Sequence, residues 1–123
     1  MSADIALAAP LLMLILLTIA QFALWSHATH IAQAAAAEGL ATTRVHTGTT
    51  ADGETRALAT IAQFGDGPLR EVAVHATRTT NQAHIEVTGV AAGVVPFLRL
   101  PVHAEATGAA ERFVPDTADG TQP

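Results

Sequence analysis

The chain of 123 residues is long enough for one small domain beside a single membrane segment. Its formal net charge is −5 and its six basic residues are all Arg, which excludes nucleic acid as a partner because no basic patch can neutralise phosphates. The absence of cysteine excludes a disulfide framework and thiolate metal sites.

Residues 5–25 have the length and composition of a membrane-spanning helix. They include no formally charged residue, and residues 11–17 are an unbroken run of Leu, Met and Ile. A bilayer core requires about 20 mostly apolar residues in a helix, and the apolar side chains here favour insertion by about 4 kcal/mol. Asp4 and Trp25 lie at the two ends, in the interface. We therefore expect a single-pass membrane protein rather than a soluble protein with a buried helix, since so short a chain could not cover an all-round apolar helix.

The flanks of this segment say little about its orientation. Residues 1–4 include no basic residue, and the first Arg on the other side is Arg44. The positive-inside rule depends on Lys and Arg near the ends of the span, so it does not predict the orientation here. A cleaved signal peptide is the weaker alternative, because it would need a basic start and a shorter apolar run.

The membrane helix is predicted to continue into water as one rod of roughly 60 Å. Residues 26–38 are rich in Ala and contain no helix breaker, so we expect the helix to end near Arg44 or Val45. The face expected to meet another element comprises Ala28, Ile31, Ala35 and Thr42.

A second, short helix is predicted after a polar break at residues 48–50. Thr50 or Asp52 is expected to cap its start, and Gly65 and Pro68 are expected to end it. Its predicted apolar face comprises Leu58, Ile61 and Phe64.

From Leu69 onward, apolar residues recur at every second position, which is typical of an antiparallel sheet with one apolar face. Residues 79–82 are predicted to form the turn between the first two strands, a third strand follows Leu100, and residues 111–113 could extend the sheet. The fold class is therefore α+β, with a long N-terminal helix, one short helix and three or four strands. Residues 1–46 are expected to form the membrane helix and its extension, 47–114 a small α+β domain, and 115–123 a disordered tail.

The predicted polar face of the sheet carries several metal-ligating residue types: His75, His84, Glu86, His103 and Glu105. Such a face could bind a metal or sense pH, but an ordinary solvated face is the more frequent case. His27 and His30 share a helix face, but a third ligand within a turn of them is missing. We therefore expect no metal or other cofactor, and the lack of nucleophile and phosphate-binding motifs predicts that the chain is not an enzyme.

The segment 90–99, between the second and third strands, is apolar and contains a proline. Contiguous exposed apolar surface usually marks a partner or membrane contact. We expect this segment either to dock another subunit or to fill the space between the sheet and the rod. The candidate contact residues are Val94, Val95, Phe97 and Leu98.

The N-terminal pattern of an acidic residue, a proline-containing apolar helix and QFALWSHATHIAQAAAAEGLATTRV resembles the TadE-like pilus-assembly proteins, in the form found in actinobacteria. The later segment VVPFLRLPVHAEATGAAERFVPD is similar to the C-terminal half of the same proteins. The resemblance implies a pilin-like minor subunit, or pseudopilin, of a tight-adherence system. It further implies a cytoplasmic-membrane anchor, a C-terminal domain on the extracytoplasmic side, and the assembly machinery and other pilin-like subunits as partners.

The resemblance also implies a role for Asp4. In pilin-like chains an acidic residue near the mature N-terminus is thought to pair with a neighbour's terminal amine, and Asp4 matches that position. The usual residue is Glu, and a prepilin leader would precede it. We expect upstream coding sequence to reveal such a leader, unless this member is not processed.

Two functions from different classes follow from the sequence. The first is a single-pass, pilin-like minor subunit that assists assembly of a tight-adherence or type IV-like pilus or secretion apparatus. The second is an anchored or secreted binding module whose sheet face captures a metal or a small ligand.

Overall fold

The computed structural model describes residues 3–45, 48–64, 67–95 and 98–110. These form two helices, α1 and α2, followed by a three-stranded antiparallel sheet. The elements in chain order are α1 Ala3–Arg44, α2 Thr50–Ala62, β1 Leu69–Arg78, β2 Gln82–Ala91 and β3 Pro101–Ala109. The predicted α+β class is confirmed. Gly65, Phe97, the predicted strand extension at 111–113 and the predicted tail lie outside the described residues.

The helix α1 is continuous over 42 residues, which corresponds to about 60 Å. Its first half projects from the domain, and large side chains there, such as Leu7 and Leu16, are more than 60% exposed. The second half packs against the domain and supplies part of its core. One helix is therefore both the candidate membrane span and a core element, as the uninterrupted helix-forming sequence predicted.

The buried face of α1 consists of small residues with two larger exceptions, Ile31 and Gln21. The fully or almost fully buried positions are Ala28, Ile31, Ala32, Ala35, Ala36, Gly39 and Thr43. The predicted positions Ala28, Ile31 and Ala35 are confirmed. Thr42 is only half-buried, and Thr43 occupies the buried position instead, its hydroxyl donating to the Gly39 carbonyl at 2.8 Å.

The two helices approach so closely that each needs a glycine at the contact. A Cβ on Gly53 would lie 1.7 Å from Thr43 Oγ1 and 3.0 Å from the Gly39 carbonyl oxygen. A Cβ on Gly39 would lie 2.2 Å from the Ile85 side chain and 2.9 Å from the Gly53 carbonyl oxygen. Backbone therefore lies against backbone at this crossing, and no side chain separates the helices.

The prediction of which residues form the inward face of α2 is largely wrong. Leu58 and Phe64 are 47% and 46% exposed, and of the predicted three only Ile61 is buried. The face that packs inward comprises Gly53, Ala57, Thr60 and Ile61. The physical reason is the close helix crossing, which accepts small residues and leaves the bulkier Leu58 outside.

The start of α2 also differs from the prediction. Thr49 is the N-cap, and its hydroxyl accepts a hydrogen bond from the Asp52 backbone N–H at 3.0 Å. Farther along α2, the Glu54 carboxylate accepts from the Ala76 backbone N–H at 2.9 Å. That bond satisfies a donor on the edge strand β1 and fixes α2 to the sheet.

The sheet has the order β1-β2-β3, and α1 packs across β2 and β3 while α2 packs on β1. Inward side chains such as Ile85, Val87 and Val102 are at most 2% exposed. The predicted alternation is confirmed, with His and Glu side chains on the opposite face. The β1–β2 register shifts between Arg70 and Ala73, where Glu71 has a φ of 54°.

The end of α1 is tied to the sheet by a cation. The Arg78 guanidinium in β1 donates to the backbone carbonyls of Thr43 at 2.8 Å, Gly48 at 3.0 Å, and Val45. These carbonyls belong to the last turn of the helix and the residues just after it, where a cation is favourable. Arg78 therefore fixes where α1 ends relative to β1.

We predict that Gly53→Ala destabilises the domain, although Ala is the better helix former by about 1 kcal/mol. The added methyl group has no room beside Thr43, and overpacking costs typically about 1–3 kcal/mol. Thermal unfolding followed by circular dichroism in detergent should show a lower midpoint. The matched control is Gly67→Ala, whose Cβ would meet nothing within 4 Å. Equal midpoints for the two variants would contradict the close crossing.

Candidate functional site

The first half of α1 is apolar on all sides rather than along one stripe. Its exposed large side chains include Ile5, Leu7, Leu11, Leu12, Met13, Leu14, Ile15, Leu16, Ile19 and Phe22. Only 6% of an apolar stretch of 18 residues in this helix is buried within the protein. A helix of this length and exposed apolar surface can cross a membrane, and an exposed apolar patch of this extent marks a membrane or protein contact.

The described residues between β2 and β3, 92–95 and 98–100, lie beside α1, and we call them the β2–β3 loop. Gln21 of α1 holds it: the Gln21 Oε1 accepts from the Val94 N–H at 3.0 Å, and its Nε2 donates to the Ala92 carbonyl at 3.4 Å. One turn farther along, the Trp25 indole N–H donates to the Pro101 carbonyl at 3.1 Å. Gln21 thus fixes the start of the loop through its backbone, and Trp25 fixes the first residue of β3, directly after the loop.

Gln21 is a site residue that the sequence did not reveal. From the sequence it only reduced the hydrophobicity of the span, whereas in the structure it is 4% exposed and hydrogen-bonded at both ends of its amide. Thr18 is satisfied as well, since its hydroxyl donates to the Leu14 carbonyl at 2.8 Å. Polar groups near hydrocarbon are tolerated when they are bonded inside the protein, so neither residue opposes membrane insertion as an unpaired group.

An apolar groove lies between α1 and the β2–β3 loop. It is lined on the helix side by Leu14, Phe22 and Trp25, and on the loop side by Val95, Leu98 and Leu100. The loop therefore flanks the helix well inside its apolar segment.

The predicted contact residues have different environments. Val94 and Leu98 are 45% and 44% exposed, Val95 is half-buried, and Phe97 lies outside the described residues. The backbone of the described loop residues is held beside α1, and Val94 and Leu98 keep nearly half of their surface exposed. Filling of the space between the sheet and the rod by these side chains stays a prediction. Contact with another subunit stays a prediction.

Asp4 is exposed in the first turn of α1, at the far end of the apolar segment from the domain. An acidic side chain is favourable there because the helix dipole and the free N–H groups of the first turn are positive. Its role in assembly stays a prediction.

The structure gathers some of the candidate metal ligands and separates others. His27 and His30 are exposed on α1, and neither belongs to a group of three ligand atoms within the described ranges. On the outer sheet face, Glu86, His103 and Glu105 do come together. The strand register explains this, because β2 and β3 pair with Glu86 opposite Glu105.

Residues 2–40 match the model of a protein family described as TadE-like protein. The match covers most of α1 and confirms the family resemblance expected from the sequence, while the actinobacterial form stays a prediction. The family is a pilus-related, structural kind of protein rather than an enzymatic one. No curated protein and no solved structure gives a significant match.

We predict that Gln21→Leu releases the β2–β3 loop without breaking α1. The substitution leaves the Val94 N–H and the Ala92 carbonyl unpaired, which costs about 1–3 kcal/mol. Hydrogen–deuterium exchange of residues 92–95 should accelerate by about tenfold or more. The control is Gln33→Leu, the same change at an exposed position of the same helix. Identical exchange in both variants would show that Gln21 does not hold the loop.

Proposed function

We propose that the chain is a single-pass, pilin-like minor subunit that assists assembly of a tight-adherence or type IV-like pilus or secretion apparatus. The observation that carries this proposal is the first half of α1, which projects from the domain with apolar side chains exposed on every side. That half lies in the segment matched to the TadE-like family. A helix that is apolar on all sides must be surrounded by either lipid or other helices.

The same helix surface can serve before and after assembly. Small residues, Ala6, Ala8 and Ala9, are exposed on it, and Ala20 is half-buried. Small side chains allow helices to approach closely in a membrane without polar groups. In this proposal, lipid surrounds the helix first, and the helices of other subunits replace lipid when the apparatus forms.

We place the anchor in the cytoplasmic membrane with the small α+β domain on the extracytoplasmic side. The support for this orientation is the family resemblance, because the flanking charges specify it poorly. The domain is the polar part of the chain, with its sheet face of His, Glu and Thr exposed. It would be available to other extracytoplasmic subunits while α1 stays in the membrane.

We assign Asp4 the pairing role that the resemblance implies. A carboxylate at the edge of hydrocarbon is costly unless it is paired, and the terminal amine of a neighbouring subunit would be such a partner. An Asp4→Asn variant that enters assemblies as efficiently as the parent chain would remove this role.

The β2–β3 loop is the second contact in this proposal. Val94, Val95 and Leu98 give the loop its apolar side chains. Gln21 holds the backbone at the start of the loop, and Trp25 holds the residue just after it. A subunit whose helix packs on α1 would meet this loop at the same time. The loop would then set the rotational position of that neighbour.

We predict that the full chain stays in the membrane fraction after alkaline carbonate extraction. The double variant Leu14→Asp/Leu16→Asp should be lost from that fraction, because each Asp at the helix centre opposes insertion by about 3 kcal/mol. The control is Gln33→Asp/Ala37→Asp, which adds the same charge at exposed positions of the helix extension. Release of the parent chain by carbonate would end the anchor proposal.

We predict that Leu98→Asp reduces co-purification of other pilin-like subunits from cross-linked native envelopes by about tenfold, as expected for a residue central to an interface. Quantitative mass spectrometry of the recovered subunits measures this. Leu58→Asp is the matched control, since Leu58 is 47% exposed against 44% for Leu98 but lies on α2. If both variants recover the same subunits in the same amounts, the loop is not a docking surface.

A further inference from the structure

The outer face of the β2–β3 pair carries a compact group of imidazoles and carboxylates. In the register of this pair, Glu86 lies opposite Glu105, and His84 lies opposite Thr107. His103 is two positions before Glu105 on β3 and therefore on the same face. We call His84, Glu86, His103 and Glu105 the His-Glu cluster. It faces away from α1, and its side chains are between 34% and 53% exposed.

Three of these side chains present ligand atoms to one common point. His103 Nε2 lies 3.4 Å from Glu105 Oε2 and 3.8 Å from Glu86 Oε2. One ligand atom from each of Glu86, His103 and Glu105 lies within 4.8 Å of the other two. Ligand atoms about 2.1 Å from a tetrahedral ion are roughly 3.4 Å apart. The side chains thus need only small rotations to surround an ion.

The fourth member of the cluster orients one of the ligands. His84 Nε2 lies 3.4 Å from Glu105 Oε1, the oxygen that does not face His103. The other ring nitrogen of His84, Nδ1, lies 2.7 Å from the Thr107 hydroxyl oxygen. Thr107 thus fixes the His84 ring, and His84 fixes the Glu105 carboxylate. Such outer-shell contacts to ligating side chains are typical of metal sites.

The negative charges of the two carboxylates in the cluster also favour binding of a cation. Two carboxylates directly opposite each other on neighbouring strands repel and destabilise the pairing, and the basic groups beside them here are the imidazoles of His84 and His103. A divalent ion would supply two positive charges and would use both carboxylates as ligands.

We propose that Glu86, His103 and Glu105 bind a divalent transition-metal ion such as Zn²⁺, with His84 as a positioning residue. A set of imidazole and carboxylate ligands suits Zn²⁺ better than Mg²⁺ or Ca²⁺, which prefer oxygen ligands alone. Three protein ligands leave one tetrahedral position open to water or to a ligand from another molecule. The bound ion would join the central strand β2 to β3, one of the two edge strands of the sheet. This site does not depend on the assembly role proposed above.

The test uses the full chain in detergent micelles, purified without a polyhistidine tag. Zn²⁺ is titrated by isothermal calorimetry and by competition with a fluorescent chelator. We expect one Zn²⁺ per chain, and we expect His103→Ala and the nearly isosteric Glu105→Gln to weaken binding at least tenfold. The control, His27→Ala/His30→Ala, removes two imidazoles outside the cluster and should leave binding unchanged. Zn²⁺ should raise the unfolding midpoint of the parent chain, whereas equal Mg²⁺ should not.

Imidazole NMR signals keep the proposal testable even if His103→Ala fails to fold. In the parent chain, Zn²⁺ should shift the His103 signals and leave those of His27 and His30 in place. The proposal is overturned if Zn²⁺ does not bind at micromolar concentration, since His103 then serves only as an ion-pair partner. It is also overturned if Zn²⁺ binds but the loss of binding follows His27→Ala/His30→Ala instead of Glu105→Gln.

Discussion

The burial of a small-residue face of α1 is the contact on which the domain depends. Ala28, Ala32 and Ala35 let the sheet lie close to the helix, and Ile31 fills the space between them and the inward side chains of β2. Gly39 and Gly53 extend the same principle to the crossing with α2. This small domain has few large apolar side chains, and its core forms because Ala and Gly let the helices and the sheet approach closely. Packing density rather than residue size determines the contacts that each atom makes.

One continuous helix, α1, contains the apolar segment in its first half and packs in the domain with its second half, so it connects the two directly. Gln21 and Trp25 lie where the two meet, and both side chains hydrogen-bond to backbone groups between β2 and β3 or at the start of β3. At the other end, Arg78 binds the last carbonyls of α1. The domain is therefore attached along the whole second half of the helix, so that no separate linker is needed between anchor and domain.

The sequence predicted the features that depend on periodicity. The length of α1, the alternation in all three strands and the polar sheet face followed from regular patterns, and they agree with the structure. The inward face of α2 was not predicted correctly. The spacing of apolar residues indicated Leu58 and Phe64, whereas the close contact of α1 and α2 at Gly39 and Gly53 determines the packing. The role of Gln21 was also hidden, since its partners lie 71 and 73 positions away along the chain and depend on the path of the loop. The sequence named the members of the His-Glu cluster among several candidate ligands, but which of them meet depends on the strand register.

The position of the β2–β3 loop along α1 has a consequence for the width of the protein in a bilayer. Residues 5–25 of the helix span about 30 Å, which matches the thickness of a hydrocarbon layer. Val95 and Leu98 flank Leu14 and Phe22 within this length. Lipid tails around this protein would therefore meet the bare helix at one leaflet and the helix together with its loop at the other, so that the protein is wider in the leaflet on the side of the domain.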